Sequence, residues 1–260
     1  MYIVPVNWDQ IGMLTPAFAD GQLADEILRI AITRRLFRMN SLKNECPIKP
    51  LLGRIRCSVT RRGKPIYETI IIREGDALRD QSETFIRNVY AAEYGALLQT
   101  FPSRIFTLLN DRGEIVCAAG FRSQGDGFFS ERYLDSPIEQ ALRVVSQRTI
   151  ARSEIFEVTT FASRAPRATP AFIESIGRFG QANGFLWSFF TLTRRLHRLV
   201  ERLGHPLTYL ADADYRRISE HERWGTYYAS EPKVFAIASP RLAINLDISQ
   251  GTGSLYAEPV

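Results

Sequence analysis

The sequence has 260 residues, of which 45% are hydrophobic and 23% charged, and its formal net charge is +5. This composition is typical of a globular protein with a sizeable core. No apolar run reaches the roughly 18 residues of a membrane span. The N-terminus MYIVPVNWDQ lacks the basic start and apolar segment of a secretory signal peptide, which predicts a cytoplasmic location.

The spacing of cysteines and histidines argues against disulfides and metal binding. The three cysteines, Cys46, Cys57 and Cys117, contain no Cys-x-x-Cys pair, so reduced thiols are predicted. The three histidines, at positions 197, 205 and 221, show no His-Glu-x-x-His spacing. No metal site is therefore predicted.

Positive charge is concentrated in the second half of the chain. Between residues 141 and 204 there are ten arginines, no lysines and four acidic residues, a net charge of +6. Arginine suits bidentate recognition of phosphate or carboxylate groups. The candidate partners are a nucleotide cofactor, an acidic carrier protein, anionic lipid or nucleic acid, although no nucleic-acid-binding module is recognised. A solvated arginine-rich face is the alternative.

The chain divides into three segments. Apolar residues at helical spacing predict a helix over 23–38, with arginines in its last turns that make it amphipathic. This helix either docks on the rest of the protein or seeks a membrane surface. We predict an N-terminal arm and helix over 1–53, a main domain over 54–240 and a C-terminal tail over 241–260.

The main domain begins with hairpins. The predicted elements of its first half are strands over 54–59 and 66–73 around a turn at 61–64, a helix over 83–98, strands over 104–109 and 114–121 around a turn at 110–113, a short strand at 128–129, and a helix over 138–148. Glycine and asparagine in the two turns favour antiparallel pairing.

The second half alternates strands and helices. Its predicted elements are a strand over 155–162, a helix over 170–183, a strand over 185–191, a helix over 193–203, and strands over 207–211 and 234–239. Hairpins followed by strand–helix–strand units predict a mixed α/β (α+β) sheet with helices on both faces.

Four motifs occur in the order found in a known family. They are Glu93-Tyr94-Gly95-Ala96, Gly120-Phe121-Arg122, Glu131-x-Tyr133-Leu134-Asp135 followed by Pro137-Ile138-Glu139, and Trp224-Gly225-Thr226-Tyr227-Tyr228. Over roughly residues 66 to 240 the chain resembles the thermostable hemolysin family. That name describes cell lysis, so one function that the resemblance implies is a membrane-active, lipid-binding protein without catalysis. It supplies no chemical mechanism.

The element order is similar to that of GNAT-fold N-acyltransferases, and more particularly of acyl-homoserine lactone synthases. Gly120-Phe121-Arg122 and Glu157-Val158-Thr159-Thr160-Phe161 resemble two of their short patterns. This resemblance implies a GNAT-like, mostly antiparallel sheet with a V-shaped gap between the strands over 155–162 and 185–191. It also implies acyl transfer from a thioester to an amine, with acyl-phosphopantetheine or acyl-coenzyme A as co-substrate and no tightly bound cofactor.

Three residues are candidates for catalysis. Glu157 lies in an otherwise apolar strand, where burial would raise its pKa and make it a usable base; a solvent-facing position is the alternative. Glu131 could bind an amine, or form an ion pair with Arg132 or Arg122. The Tyr227 hydroxyl could protonate the thiolate leaving group, or simply pack.

A second group of residues is predicted to contact the substrate. Arg122 ends a strand and could bind a carboxylate or phosphate, and Glu93 and Tyr94 could cover an amine pocket from a helix, opposite its core face. The strand residues of this group are Thr160, Phe161, Phe189 and Phe190. The three phenylalanine rings could line an acyl tunnel or belong to the core.

Coenzyme A enzymes of the GNAT type resemble one another in a glycine-rich turn that binds pyrophosphate at a helix N-terminus. The corresponding turn here, Ala162–Pro170, contains no glycine. Acyl carrier protein is therefore the expected donor partner. The residues assigned to the donor phosphate or the carrier are Arg164, Arg167, Arg194 and Arg195. The acceptor is expected to be a small amine; membrane binding is secondary, and nucleic acid is not expected.

Overall fold

The computed structural model of the protein describes residues 57–61 and 64–242. The predicted arm and helix over 1–53 lie outside these residues, as does nearly all of the tail predicted over 241–260. The described residues therefore lie almost wholly in the main domain predicted over 54–240.

One sheet of eight strands organises this domain. The strands are β1 (Cys57–Arg61), β2 (Lys64–Arg73), β3 (Arg104–Asn110), β4 (Ile115–Arg122), β5 (Ile155–Ser163), β6 (Trp187–Leu192), β7 (Thr208–Asp212) and β8 (Lys233–Ala238). Their order in the sheet is β1-β2-β3-β4-β5-β6-β8-β7. Among the described strand pairs, β5 and β6 are parallel and the others are antiparallel.

Four α-helices among the described residues cover the sheet, two on each face. They are α1 (Arg79–Tyr94), α2 (Ile138–Ser146), α3 (Thr169–Ala182) and α4 (Arg194–Arg202). Adjacent residues of a strand point to opposite faces, and Ile105 packs with α1 residues while Phe106 packs with α3 residues. Helix α2 shares the face of α1, and α4 that of α3. The predicted fold class, a mixed and mostly antiparallel sheet with helices on both faces, is confirmed.

Helix α1 begins and ends earlier than its predicted span of 83–98. At its start, the Arg79 guanidinium donates hydrogen bonds to the carbonyls of Pro102 and Ser103 and to the Glu83 carboxylate. At its end, Gly95 adopts a left-handed conformation with φ of 65°, which glycine tolerates at a helix C-terminus. The apolar residues after Gly95 therefore do not extend the helix.

The short strand predicted at Phe128-Phe129 is wrong. This segment leads into a 3₁₀ helix over Ser130–Tyr133. The backbone N–H groups of Phe129 and Ser130 donate to the carboxylate of Glu157 instead of to a neighbouring strand. The Glu157 side chain thus accepts the backbone hydrogen bonds that a neighbouring strand would have accepted.

The predicted V-shaped gap between β5 and β6 is confirmed. Their pairing runs from Ile155 opposite Trp187 to Val158 opposite Phe190 and then stops. Strand β5 continues to Ser163 and β6 to Leu192 without further pairing between them. The strands therefore separate toward their carboxyl ends, where ligands bind in open α/β sheets.

Candidate active site

Glu157 lies on β5 immediately before the strands separate. Its side chain is 0% exposed, and it packs on the face of the sheet that carries α1 and α2. The carboxylate accepts hydrogen bonds from the backbone N–H of Phe129 to Oε2 at 2.6 Å and of Ser130 to Oε1 at 2.7 Å. These two hydrogen bonds hold the loop that follows β4 over the narrow end of the gap.

The pKa of Glu157 is raised to about 7. Burial is the main cause, because it disfavours the charged form. The hydrogen bonds from Ser130 and Phe129 and the positive charge of Arg122 oppose the rise. A carboxyl group that titrates near neutral pH is suited to general base catalysis.

Arg122, at the end of β4, is the cross-strand partner of Glu157. One guanidinium nitrogen, Nη1, donates to the carbonyls of Asp126 at 3.2 Å and Gly127 at 3.5 Å. The Nε atom is buried and has no hydrogen-bond partner among the described residues. Arg122 thus supports the loop over the gap and retains one donor for a further partner.

Strand β5 carries a bulge where it borders the gap. Its register with β4 shifts between Ala118 and Gly120, and Thr160 has a φ of 45°, an uncommon value for a β-branched residue. The hydroxyl oxygens of Thr159 and Thr160 are buried without a hydrogen-bond partner in the described part of the chain. Strain and unsatisfied polar atoms of this kind are often found at functional sites.

Gly120 of the Gly-Phe-Arg motif makes room for this bulge. A Cβ atom at Gly120 would lie 2.4 Å from Thr159 Oγ1 and 2.7 Å from a Pro102 carbon. A side chain there would displace Thr159 from the border of the gap. The motif glycine therefore serves the geometry of the site.

Hydroxyl groups lie at the other side of the gap. Thr191, the first β6 residue without a partner on β5, has its Oγ1 2.8 Å from the Ser130 Oγ. Two residues further on, Thr193 lies beside the Tyr94 phenol and opposes the rise in its pKa that burial causes. The gap is thus bordered by polar oxygens on both strands.

An aromatic cluster adjoins this border. It consists of Tyr90, Tyr94, Trp224, Tyr227 and Tyr228. The hydroxyls of Tyr133 and Tyr228 are 2.7 Å apart, and Glu157 helps to raise the pKa of Tyr133. Two of the sequence motifs therefore meet in this cluster, and a third is joined to it through the Tyr133 hydroxyl.

Tyr227, predicted as an acid, is buried inside the cluster. Burial raises the pKa of its phenol well above the usual value, so it donates a proton to a thiolate less readily. Of the two residues predicted to cover an amine pocket, Glu93 is exposed. Tyr94 packs in the cluster, contrary to its predicted position opposite the core face, because the buried face of α1 extends to its last turn.

Glu131, the second predicted carboxylate, forms an ion pair. Its two oxygens accept from Arg152 at 2.6 Å each, and Oε1 also accepts from the backbone N–H of Ile138 at 2.9 Å. These interactions hold the pKa of Glu131 below its usual value, Arg152 being the main cause. The ion-pair partner of Glu131 is therefore Arg152. The alternative predicted from the sequence, an ion pair with Arg132 or Arg122, is wrong.

The three phenylalanines predicted near the acyl chain lie in different clusters. Phe161 packs on Phe172 of α3, Phe190 lies in the cluster beneath α4, and Phe189 packs on Phe128 on the opposite face. They do not share one side of the sheet, so they do not line a single tunnel.

The predicted donor arginines lie around the carboxyl ends of β5 and β6. The Arg164 guanidinium stacks over the Phe85 ring of α1, and Arg194 forms an ion pair with Glu231. Arg167 and Arg195 are exposed, and Arg195 lies close enough to Tyr94 to lower its pKa. Two of the four are therefore engaged within the protein.

The N-terminus of α3 has few free donors. The N–H groups of Ala168 and Thr169 donate to the Ala165 carbonyl, and that of Phe172 donates to Ala168. Pro166 and Pro170 have no N–H. A pyrophosphate cradle of the kind that helix N-termini provide is thus largely occupied.

Three residues of the site were not singled out from the sequence. Ser130 stands between the apolar Phe128-Phe129 pair and Glu131, Thr191 ends an apolar strand, and the position of Thr159 at the gap depends on the bulge. The one local signal for Thr191 is that it is a polar residue at the end of the otherwise apolar strand predicted over 185–191.

Two kinds of site are absent from the described residues. Within 57–61 and 64–242, no group of three or more histidine, cysteine, aspartate or glutamate side chains could bind a metal ion. Over the same ranges, no helix has the length and apolar character needed to span a bilayer.

Several solved structures are similar to this one at low sequence identity. The AHL synthase LasI has 10% identity and a TM-score of 0.45, covering 75% of this chain and 98% of its own. FeeM, an N-acyl amino acid synthase from uncultured soil microbes, has 14% identity and a TM-score of 0.47, covering 72% and 98%. A GCN5-related N-acetyltransferase from Kribbella flavida has 12% identity and a TM-score of 0.41, covering 65% and 97%.

No curated protein matches the sequence. The family model described as thermostable hemolysin matches residues 72–241. This range contains all four motifs, including those whose tyrosines meet at the aromatic cluster. The chain belongs to the thermostable hemolysin family.

Proposed function

We propose that this protein is an N-acyltransferase that moves an acyl group from an acyl thioester to the amine of a small molecule. The observation that carries the proposal is the separation of β5 and β6 one residue after Glu157, a buried carboxyl group whose pKa is raised to about 7. A slot for an extended donor and a base that titrates near neutral pH thus occur together.

The donor's thioester would lie in the gap beside the bulge. Thr160 has no registered partner on β4 or β6, so its backbone is not committed to the sheet ladder. Peptide N–H groups held in this way can stabilise the oxyanion of a tetrahedral intermediate. The unpartnered hydroxyls of Thr159 and Thr160 offer further donors at the same border.

The acceptor amine would approach from the face that carries α1 and the aromatic cluster. Its proton would pass to Glu157, and the exposed Glu93 beside Tyr94 would attract a cationic amine toward the gap. Arg122 retains a buried Nε donor that could bind a carboxylate on the acceptor.

The preferred donor would be an acyl carrier protein. The α3 N-terminus keeps few free N–H groups, which leaves little for the pyrophosphate of coenzyme A. The exposed Arg167 and Arg195 could instead contact the single phosphate of phosphopantetheine or the acidic surface of a carrier protein. The acyl thioester is a co-substrate in either case, and the reaction is expected to occur in the cytoplasm.

The test is an acyl-transfer assay with matched donors. Acyl carrier protein and coenzyme A carrying the same acyl chains are incubated with the protein and a pool of amino acids and amines, and amide products are detected by mass spectrometry. We expect amides with the carrier donor in excess. Glu157→Gln should lower turnover by roughly 100-fold while donor binding stays nearly intact. Absence of transfer from both donors would contradict the proposal.

The family name favours a second function, lipid binding with membrane lysis. Dye release from anionic vesicles separates the two functions, because an acyltransferase should release no dye at micromolar protein. Leakage that persists in Glu157→Gln would support the membrane-active alternative.

A further inference from the structure

Glu157 cannot contact a substrate directly. Its side chain is 0% exposed, and both carboxylate oxygens already accept backbone N–H groups from the loop above it. An amine in the gap would be separated from the carboxylate by Ser130, whose own exposure is 2%. A base in this position needs an intermediate group to receive the proton.

Ser130 and Thr191 lie in the intervening space. The Ser130 hydroxyl is close enough to the Glu157 carboxylate to lower its pKa, and its Oγ is 2.8 Å from Thr191 Oγ1. Thr191 is half-buried and is the first β6 residue beyond the last pair with β5. Exposure therefore increases from the carboxylate through Ser130 to Thr191 at the gap.

We propose that the hydroxyl groups of Thr191 and Ser130 form a proton relay that connects the acceptor amine in the gap with the carboxylate of Glu157. The relay rests on the proposed acyl transfer and identifies Thr191 as the residue that contacts the amine. Each hydroxyl can accept one proton while it donates its own, so the chain conducts a proton without carrying a net charge at rest.

The amine nitrogen attacks the thioester carbonyl carbon and forms the C–N bond, and its proton passes to Thr191 Oγ1. Thr191 transfers its own proton to Ser130, and Ser130 transfers its own to Glu157. The C–S bond then breaks, and the proton returns along the same path to the departing sulfur. Thioester and amine become amide and thiol, and Glu157 is again ionised.

The decisive variants differ in whether residue 191 carries a hydroxyl group. Thr191→Val keeps the shape of the side chain but removes the hydroxyl, and Thr191→Ser restores the hydroxyl. We expect Thr191→Val to lower kcat by at least about 10-fold with little change in donor KM, and Thr191→Ser to recover most of the activity. Ser130→Ala should behave as Thr191→Val does.

A buried hydroxyl pair between α1 and β3 supplies the control. Ser82 Oγ and Thr107 Oγ1 are 3.0 Å apart beneath α1, away from the gap. Thr107→Val makes the same exchange of hydroxyl for methyl in a pair that is more deeply buried. We expect it to lower Tm by at least as much as Thr191→Val does while kcat stays unchanged, which separates lost stability from lost proton transfer.

The pH profile distinguishes a relay from a packing role. In the wild-type protein, kcat/KM should rise with pH as Glu157 ionises. In Thr191→Val this dependence should disappear, and added imidazole should restore part of the rate.

Two contrary results have separate meanings. If the wild-type protein transfers acyl groups and Thr191→Val equals it in rate and pH profile, the relay is wrong and the proposed function stands. If the wild-type protein transfers no acyl group from either donor, the proposed function fails and the relay fails with it.

Discussion

Arg122 and Glu157 oppose each other across β4 and β5, yet no ion pair joins them: the guanidinium is bound to the carbonyls of Asp126 and Gly127 instead. The arginine acts on the carboxylate by its charge alone and lowers its pKa. We expect Arg122→Met to shift the pH midpoint of Glu157 above 7. Carboxyl ¹³C chemical shifts of labelled glutamate, followed against pH, measure this directly, and an unchanged midpoint would contradict it.

Stability should fall as the pH rises, because Glu157 has a raised pKa in the folded protein. The pKa of Glu157 is about 7 in the folded protein, against an ordinary value of 4.5, so the folded protein binds this proton more tightly than the unfolded chain does. The resulting stabilisation of the folded protein is complete below about pH 4.5 and is lost as the pH rises through 7. The loss is on the order of 3 kcal/mol. Urea unfolding of wild type and Glu157→Gln at pH 5 and pH 8 should show this decrease in the wild-type protein alone.

Glu131 should matter for stability and not for turnover. Its paired bonds to Arg152 and its bond to the Ile138 N–H hold the start of α2 to the 3₁₀ helix over Ser130–Tyr133. Glu131→Gln should lower the free energy of unfolding by about 1–3 kcal/mol and leave kcat within about twofold. A loss of activity comparable to that of Glu157→Gln would show instead that Glu131 belongs to the catalytic site.

The exposed arginines near the gap should govern the affinity for a carrier protein. Replacing Arg167 and Arg195 together by alanine should weaken the binding of acyl carrier protein, more so at low salt, with a smaller effect on the chemical step. Arg216→Ala is the matched control, because that exposed arginine is already paired with Asp214. Fluorescence anisotropy of a labelled carrier protein at two salt concentrations measures the difference. Equal effects of both changes would mean that the binding is non-specific.

The glycine of the Trp-Gly-Thr-Tyr-Tyr motif should tolerate no side chain. Gly225 has a φ of 54°, and a Cβ there would lie 2.0 Å from the Tyr94 carbonyl oxygen. We expect Gly225→Ala to destabilise the protein by about 2–4 kcal/mol. Gly177→Ala, in α3 with nothing within 4 Å of its Cβ, should be neutral or slightly stabilising. Thermal unfolding of the two variants tests the contrast.

The sheet could be predicted largely from local patterns. The turns at 61–64 and 110–113 indicated hairpins. In the second half, the spacing of apolar residues predicted the bounds of β5, α3, β6 and α4 to within about two residues. These elements are determined by hydrophobic period and turn residues, which are both local in sequence.

The site depended on contacts that no local pattern contains. Phe128-Phe129 has the composition of a strand, but the backbone N–H groups of Phe129 and Ser130 donate to the carboxylate of Glu157, 28 and 27 residues further along. Glu131 binds Arg152, 21 residues away, although Arg132 is adjacent to it. The burial of Glu157 could be inferred from its apolar strand, whereas the identity of its neighbours could not.

The end of α1 has a consequence for how the protein folds during synthesis. The Tyr94 carbonyl accepts the backbone N–H of Thr226, and the Leu97 N–H donates to the Arg223 carbonyl, so this helix end is satisfied by a segment about 130 residues later. While the ribosome is still translating that segment, Tyr90 and Tyr94 lack their aromatic partners and remain open to solvent. Chains released before residue 228 should therefore be prone to aggregation and bound by chaperones, and completion of the aromatic cluster should be among the last events of folding.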